Sequence, residues 1–121
     1  MEDLILIVDD ARFARRIETK ALQDAGFEHI VEAKTAKEAL QIEEQSPELT
    51  LLDITLPDNS DLTLLRTMIK IRPEAKIVMN SAIGQELIIQ DALNAGARDF
   101  ITKPFKEKEF IEKIVKVMKG N

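Results

Sequence analysis

The chain contains no cysteine, which excludes disulfides, thiol nucleophiles and cysteine-bound zinc, and fits a reducing, cytoplasmic setting. Its four glycines form no glycine-rich phosphate loop and no dinucleotide fingerprint. Histidine occurs once, at His29, where it reads as a strand-edge residue, so no Ser/His/Asp triad carries weight. Long apolar runs are missing too. The N-terminal "MEDLILIVDD" starts with acids and holds only Leu4 to Val8 without interruption, too short for a signal peptide or membrane insertion. Positive charge is in deficit, with 17 basic against 22 acidic residues and a net charge of -5, which disfavours nucleic acid and anionic lipid as partners. The end from Arg98 onward is mildly basic, too weakly to name a partner. There is no linker or low-complexity tract.

What is present suits one domain over residues 1–121, since 45% hydrophobic residues in so short a chain supply one sufficient core and not two. Short β-rich apolar runs recur at Leu4 to Asp9, Ile30 to Ala33, Leu49 to Asp53, Ile77 to Ser81 and Ala97 to Thr102, each followed by a helix-length segment. In the first helix Ala14, Ile17, Ala21, Leu22 and Ala25 are expected inside, closed by Gly26. Ala95 and Gly96 repeat that ending. The second helix opens at "TAKE", where Thr35 and Glu38 have capping-box spacing. The last helix is expected to turn Phe110, Ile111, Ile114, Val115 and Met118 inward, with Glu109/Lys113 and Glu112/Lys116 paired outside. Five βα units predict an α/β fold: a doubly wound, five-stranded parallel sheet covered on both faces.

Ligands of such sheets lie beyond the carboxyl ends of the strands. Those ends carry Asp9 and Asp10, then Asp53 in "LLDITLPD", then Ser81, and finally Lys103 before Pro104. Taken singly, each is an ordinary cap, turn residue or solvated charge. Together, at successive strand ends, they predict one rim. Three carboxylates about 4 Å apart repel by roughly 4 kcal/mol per pair at an effective dielectric near 20, so a cation or shared protons must relieve them. Oxygen-only ligands favour Mg²⁺ or Mn²⁺. A metal, an ammonium and a hydroxyl around a carboxylate suit phosphoryl transfer, with Asp53 on the central strand as nucleophile.

The motifs "IVDD" (7–10), "LLDITLP" (51–57), "NSA" (80–82) and "FITKPF" (100–105), in that order, resemble the response-regulator receiver domain over essentially the whole chain. The resemblance implies the strand order 2-1-3-4-5 shared by flavodoxin and by receivers such as CheY. It implies that Asp53 accepts phosphate from a histidine kinase or a histidine phosphotransfer protein. Asp10 would bind Mg²⁺ directly, Asp9 through water, and the backbone carbonyl of Thr55 would complete the set with Asp53. Lys103 would pair with the phosphoryl group, Ser81 would hydrogen-bond it and draw in the following loop, and Phe100 would be the switch aromatic. A cis bond at Lys103-Pro104 is implied as well.

Some positions depart from that pattern. Asp61 stands where glycine is usual, implying a strained or rebuilt loop after Asp53. Phe100 lacks the commoner tyrosine's hydroxyl, leaving a switch that works by packing. Ile83 would hinder attacking water, and Asn80, facing away from Ser81, suggests only an edge hydrogen bond. Phe13 reads equally as a docking aromatic or as packing over the helix start. The chain ending soon after the fifth helix implies a stand-alone regulator, monomeric or dimerising on activation, signalling to a downstream protein through its fourth helix, fifth strand and fifth helix. "NSAIGQ" points to a chemotaxis type. The rivals are a phosphorelay intermediate, a haloacid-dehalogenase-like phosphatase, whose second aspartate is here Thr55, and a binding module that works without phosphorylation.

Overall fold

The computed structural model describes residues 3–59, 61–82 and 84–120. In it β1 (Leu4–Val8), α1 (Arg12–Asp24), β2 (His29–Ala33), α2 (Ala36–Glu43), β3 (Leu49–Asp53), α3 (Thr63–Ile71), β4 (Ile77–Ala82), α4 (Glu86–Asn94), β5 (Asp99–Lys103) and α5 (Glu107–Met118) follow in order. The strands form one parallel sheet in the order β2-β1-β3-β4-β5, the expected CheY-like arrangement. Fully apolar runs become strands here because both faces of a parallel sheet are covered. One face packs Leu6, Val8, Leu52, Ile77 and Met79, and the other Ile5, Ile7, Leu51, Val78 and Ile101.

Register builds the rim. Val8 lies opposite Leu52, so the next residues, Asp9 and Asp53, emerge side by side. Asp53 in turn lies opposite Asn80, which sets Ser81 and Ala82 just beyond it. Glycines end two helices: at Gly26 (φ 101°) the N–H groups of Phe27 and Gly26 return to the Leu22 and Gln23 carbonyls, and Gly96 (φ 121°) repeats the motif. That second cap uses Ala97, which is why β5 begins at Asp99 and not at Ala97.

Several expectations need correction. In α1 the inward stripe contains Glu18, Ala21 and Leu22, while Ile17 is 42% exposed and Ala25 faces solvent. Helical spacing from Ala14 permits either residue 17 or residue 18, and the structure uses the acid. At α2, Thr35 Oγ1 accepts from Glu38 N–H (3.1 Å) as expected, but Glu38 Oε1 accepts from Lys34 N–H (2.9 Å) rather than from Thr35. Asp58 takes the N–H groups of Ala36 and Lys37 from across the loop, which holds its carboxyl below the usual range.

In α5 Phe110 and Ile114 are fully buried and half-buried Ile111 and Met118 pack against the same cluster, as expected, but the third fully buried residue is Val117, while Val115 is only half-buried. Among the described residues Glu109/Lys113 and Glu112/Lys116 form no ion pairs; Lys113 instead reaches Asp99 (3.6 Å) and donates to the Phe100 carbonyl (2.6 Å), a fixed acceptor in β5. Asp61 takes up a capping role instead. Its Oδ1 accepts from Thr63 N–H (2.9 Å) and so starts α3. His29 opens the edge strand β2, exposed. The Lys103-Pro104 bond is cis.

Candidate functional site

Asp9 is fully buried at the end of β1, where only paired charges are tolerated. Its Oδ1 accepts from Ala11 N–H (2.9 Å) and its Oδ2 from Lys103 Nζ (2.7 Å). Lys103 comes from β5, so its side chain reaches over the ends of β4 and β3. On the way it lies 3.6 Å from Asp53 Oδ2. Asp53 Oδ1 accepts from Thr55 N–H at 3.3 Å. Carboxylate oxygens of buried Asp9, exposed Asp10 and half-buried Asp53 all lie within 4.8 Å of one another. The acids and the lysine therefore meet, as their positions at the strand ends suggested.

Electrostatics follow from this crowding. Burial, with the neighbouring charge of Asp9, pushes the Asp53 carboxyl up to about 6, against the opposing pull of Lys103. Burial alone would lower Lys103, but its hydrogen bond to Asp9 and the charges of Asp53, Asp9 and Glu18 raise it above its ordinary value. Lys103 is thus a fixed cation at neutral pH. One ammonium cannot neutralise three carboxylates, and the surplus negative charge on hard oxygen donors fits a small divalent ion.

The remaining predicted residues sit differently. Ser81 is buried, and its hydroxyl donates to the Ile101 carbonyl (3.4 Å), away from the acids. Thr55 is exposed beside Asp53. Phe100 is half-buried, with Lys113 Nζ 4.4 Å above its ring. Phe13 is 76% exposed and, with Ile17 and Phe105, lines a hollow beside Lys103 and Pro104. Ile83 lies outside the described residues.

Sequence reasoning missed three residues. Glu18, 1% exposed, accepts from Asn80 Nδ2 at 2.9 Å. Asn80 is therefore no edge residue; it spans from an interior strand to α1. Burial, then the charge of Asp9, pushes Glu18 up to about 8. Arg15 donates to the Asp9 carbonyl (2.8 Å) while paired with Glu32 (2.8 Å), bracing the turn that carries the acids. Gln85 Oε1 accepts from Ala82 N–H (2.7 Å) and its Nε2 donates to Thr55 Oγ1 (3.4 Å). The polar break in β4 at Asn80 was the one available signal.

Known proteins agree with this geometry. The family model of the response regulator receiver domain matches residues 5–115. The chain is 41% identical over 119 residues to the chemotaxis protein CheY of Bacillus subtilis, covering 98% of this chain and 99% of that protein. It is 39% identical over 116 residues to the CheY of Thermotoga maritima, covering 95% and 97%. A solved CheY-like receiver domain protein from Methanospirillum hungatei superposes with a TM-score of 0.90 at 32% identity, over 98% of this chain and 95% of that one. The receiver domain of NtrX from Brucella abortus gives 0.90 at 35% identity, over 97% and 99%.

Proposed function

The chain belongs to the response regulator receiver domain family, and from that premise we propose that it is a phosphoacceptor switch in which Asp53 takes a phosphoryl group from a histidine kinase or a histidine phosphotransfer protein. The observation that carries this reading is the contact of Asp53 Oδ2 with Lys103 Nζ at 3.6 Å inside the three-acid cluster. In the transfer, an Asp53 oxygen attacks phosphorus and the P–N bond of the phosphohistidine breaks. The imidazole leaves with the bonding pair, neutral because its other nitrogen carries a proton. Lys103 stays charged throughout and meets the phosphoryl oxygens as a point cation. A divalent ion, Mg²⁺ or Mn²⁺, held by Asp9, Asp10, Asp53 and the Thr55 carbonyl would supply the further positive charge that phosphoryl transfer needs.

Ser81 then turns from the Ile101 carbonyl to a phosphoryl oxygen, and Phe100 repacks, altering the surface of α4, β5 and α5 for a downstream protein. The protein assists its own phosphorylation and dephosphorylation and turns over no separate substrate. Identities of 41% and 39% to two chemotaxis proteins CheY support a receiver of chemotaxis type. No described helix is long and apolar enough to cross a membrane.

The test is incubation with Mg²⁺ and a small acyl phosphate, followed by intact-mass measurement. The wild type should gain one phosphoryl group and Asp53→Asn none. No gain in the wild type refutes the proposal, and turnover of unrelated phosphate esters would mark a phosphatase instead.

A further inference from the structure

A phosphoryl group on Asp53 brings anionic oxygens to the rim, each needing a donor or a cation. Lys103 serves one side, since its Nζ already lies 3.6 Å from Asp53, and a divalent ion held by the acid cluster would serve another. The third side must come from β4, because β4 is the other neighbour of β3 and Asp53 lies opposite Asn80. The two donors just beyond Asn80 are the Ser81 hydroxyl and the Ala82 N–H.

Both are engaged internally. Ser81 donates to the Ile101 carbonyl, and Ala82 N–H donates to Gln85 Oε1 at 2.7 Å, the tighter of the two contacts. Because the Ala82 N–H can only donate, it fixes which end of the Gln85 amide is oxygen. The Nε2 end then donates to Thr55 Oγ1 at 3.4 Å, while the Thr55 N–H donates to Asp53. The Gln85 side chain therefore joins the loop after β4 to the loop after β3, spanning the mouth beside the nucleophile. A carboxamide oxygen on the Ala82 N–H stands where an oxygen of the acyl phosphate would bind.

We propose that Gln85 is a positioning residue that gates the phosphoryl site: its carboxamide holds the Ala82 N–H and Thr55 in the unphosphorylated protein and must let go for Asp53 to be phosphorylated. The inference rests on the phosphoacceptor reading of Asp53. Gln85 touches no reacting atom; it acts by withholding a donor and by tying two loops together. Its release frees the β4–α4 connection at the same moment that Ser81 leaves Ile101, which makes loop movement and phosphorylation one event.

The experiment measures the rate at which an acyl phosphate with Mg²⁺ loads the wild type, Gln85→Ala and Gln85→Met. The methionine keeps chain length and packing without accepting from the Ala82 N–H. In each case Asp53 attacks phosphorus and the donor leaves as its carboxylate with the bonding pair. Loss of one internal hydrogen bond from the resting state predicts loading about two- to tenfold faster in both variants. Mg²⁺ affinity by calorimetry should stay at the wild-type value, and the Ala82 amide hydrogen should exchange faster; a merely structural loop defect would weaken Mg²⁺ binding instead. Unchanged or slower loading in both variants overturns the gate while leaving Asp53 as phosphoacceptor. Absence of loading in the wild type overturns both.

Discussion

Glu18→Gln is expected to make the protein progressively more stable than the wild type as pH rises from 5 to 8. Glu18 is 1% exposed on α1, its Oε2 accepts from Asn80, and its Oε1, like Asn80 Oδ1, is buried without a partner among the described residues. Burial first, then the charge of Asp9, moves the carboxyl from an ordinary 4.5 to about 8. The folded chain therefore keeps a proton that the unfolded chain releases anywhere between those values. The stability contributed by this group is complete below 4.5 and is lost as pH rises toward about 8. That separation corresponds to about 5 kcal/mol once the folded carboxyl is ionised, of which about 3 to 4 kcal/mol develops between pH 5 and 8. Glutamine fills the same space with no charge to desolvate, so its curve lacks this slope.

The assay is urea unfolding at several pH values without added divalent ion, followed by far-ultraviolet circular dichroism, because the chain has no tryptophan or tyrosine. Wild-type and Glu18→Gln curves that stay parallel within about 0.5 kcal/mol across this range would refute the reasoning. A companion pair isolates the partner. Asn80→Val leaves the Glu18 carboxyl without its one donor and should cost about 1 to 3 kcal/mol, whereas Glu18→Val with Asn80→Val should recover that loss.

Arg72→Met removes the cation that meets buried Glu43 at 3.2 Å and also binds the Pro47 carbonyl at 2.6 Å. Because burial already raises Glu43 against the pull of Arg72, the single change should cost about 3 kcal/mol and adding Glu43→Leu should return most of it; strict additivity in urea unfolding would count against the clamp. Lys113→Met releases the ammonium that lies 4.4 Å over the Phe100 ring and holds its carbonyl. A fluorophenylalanine placed at position 100 should then show a shifted or doubled ¹⁹F resonance in the unphosphorylated variant, and an unmoved line would show that the ring is held by packing alone.

The rim was legible because the features that encode it are local. A strand buried on both faces must be an apolar run, and a carboxylate ending such a run stands out against it; β3 accordingly spans Leu49–Asp53 as its sequence suggested. Parallel register then places Asp9 beside Asp53 with no further information. What stayed hidden depends on partners far along the chain. Helical periodicity treats a glutamate as a solvent-facing residue, so the inward stripe took in Ile17 and passed over Glu18. The residue that makes Glu18 an inside residue lies 62 positions away. Lys113 shows the same limit, since a neighbour at helical spacing lost to a carbonyl fixed in β5.

Yet the Glu18–Asn80 pair had a trace in the sequence, in the wrong member. Asn80 interrupts the apolar alternation of an interior strand on the side shared with Val78, the side that α1 and α5 cover. A buried carboxamide there demands a polar partner on a covering helix. Starting from Ala14 and stepping along the stripe that includes Ala21 and Leu22, the polar residue at helical spacing is Glu18. The unexplained asparagine and the misplaced isoleucine were thus two signs of one contact, and reading the first as a demand for a partner would have corrected the second.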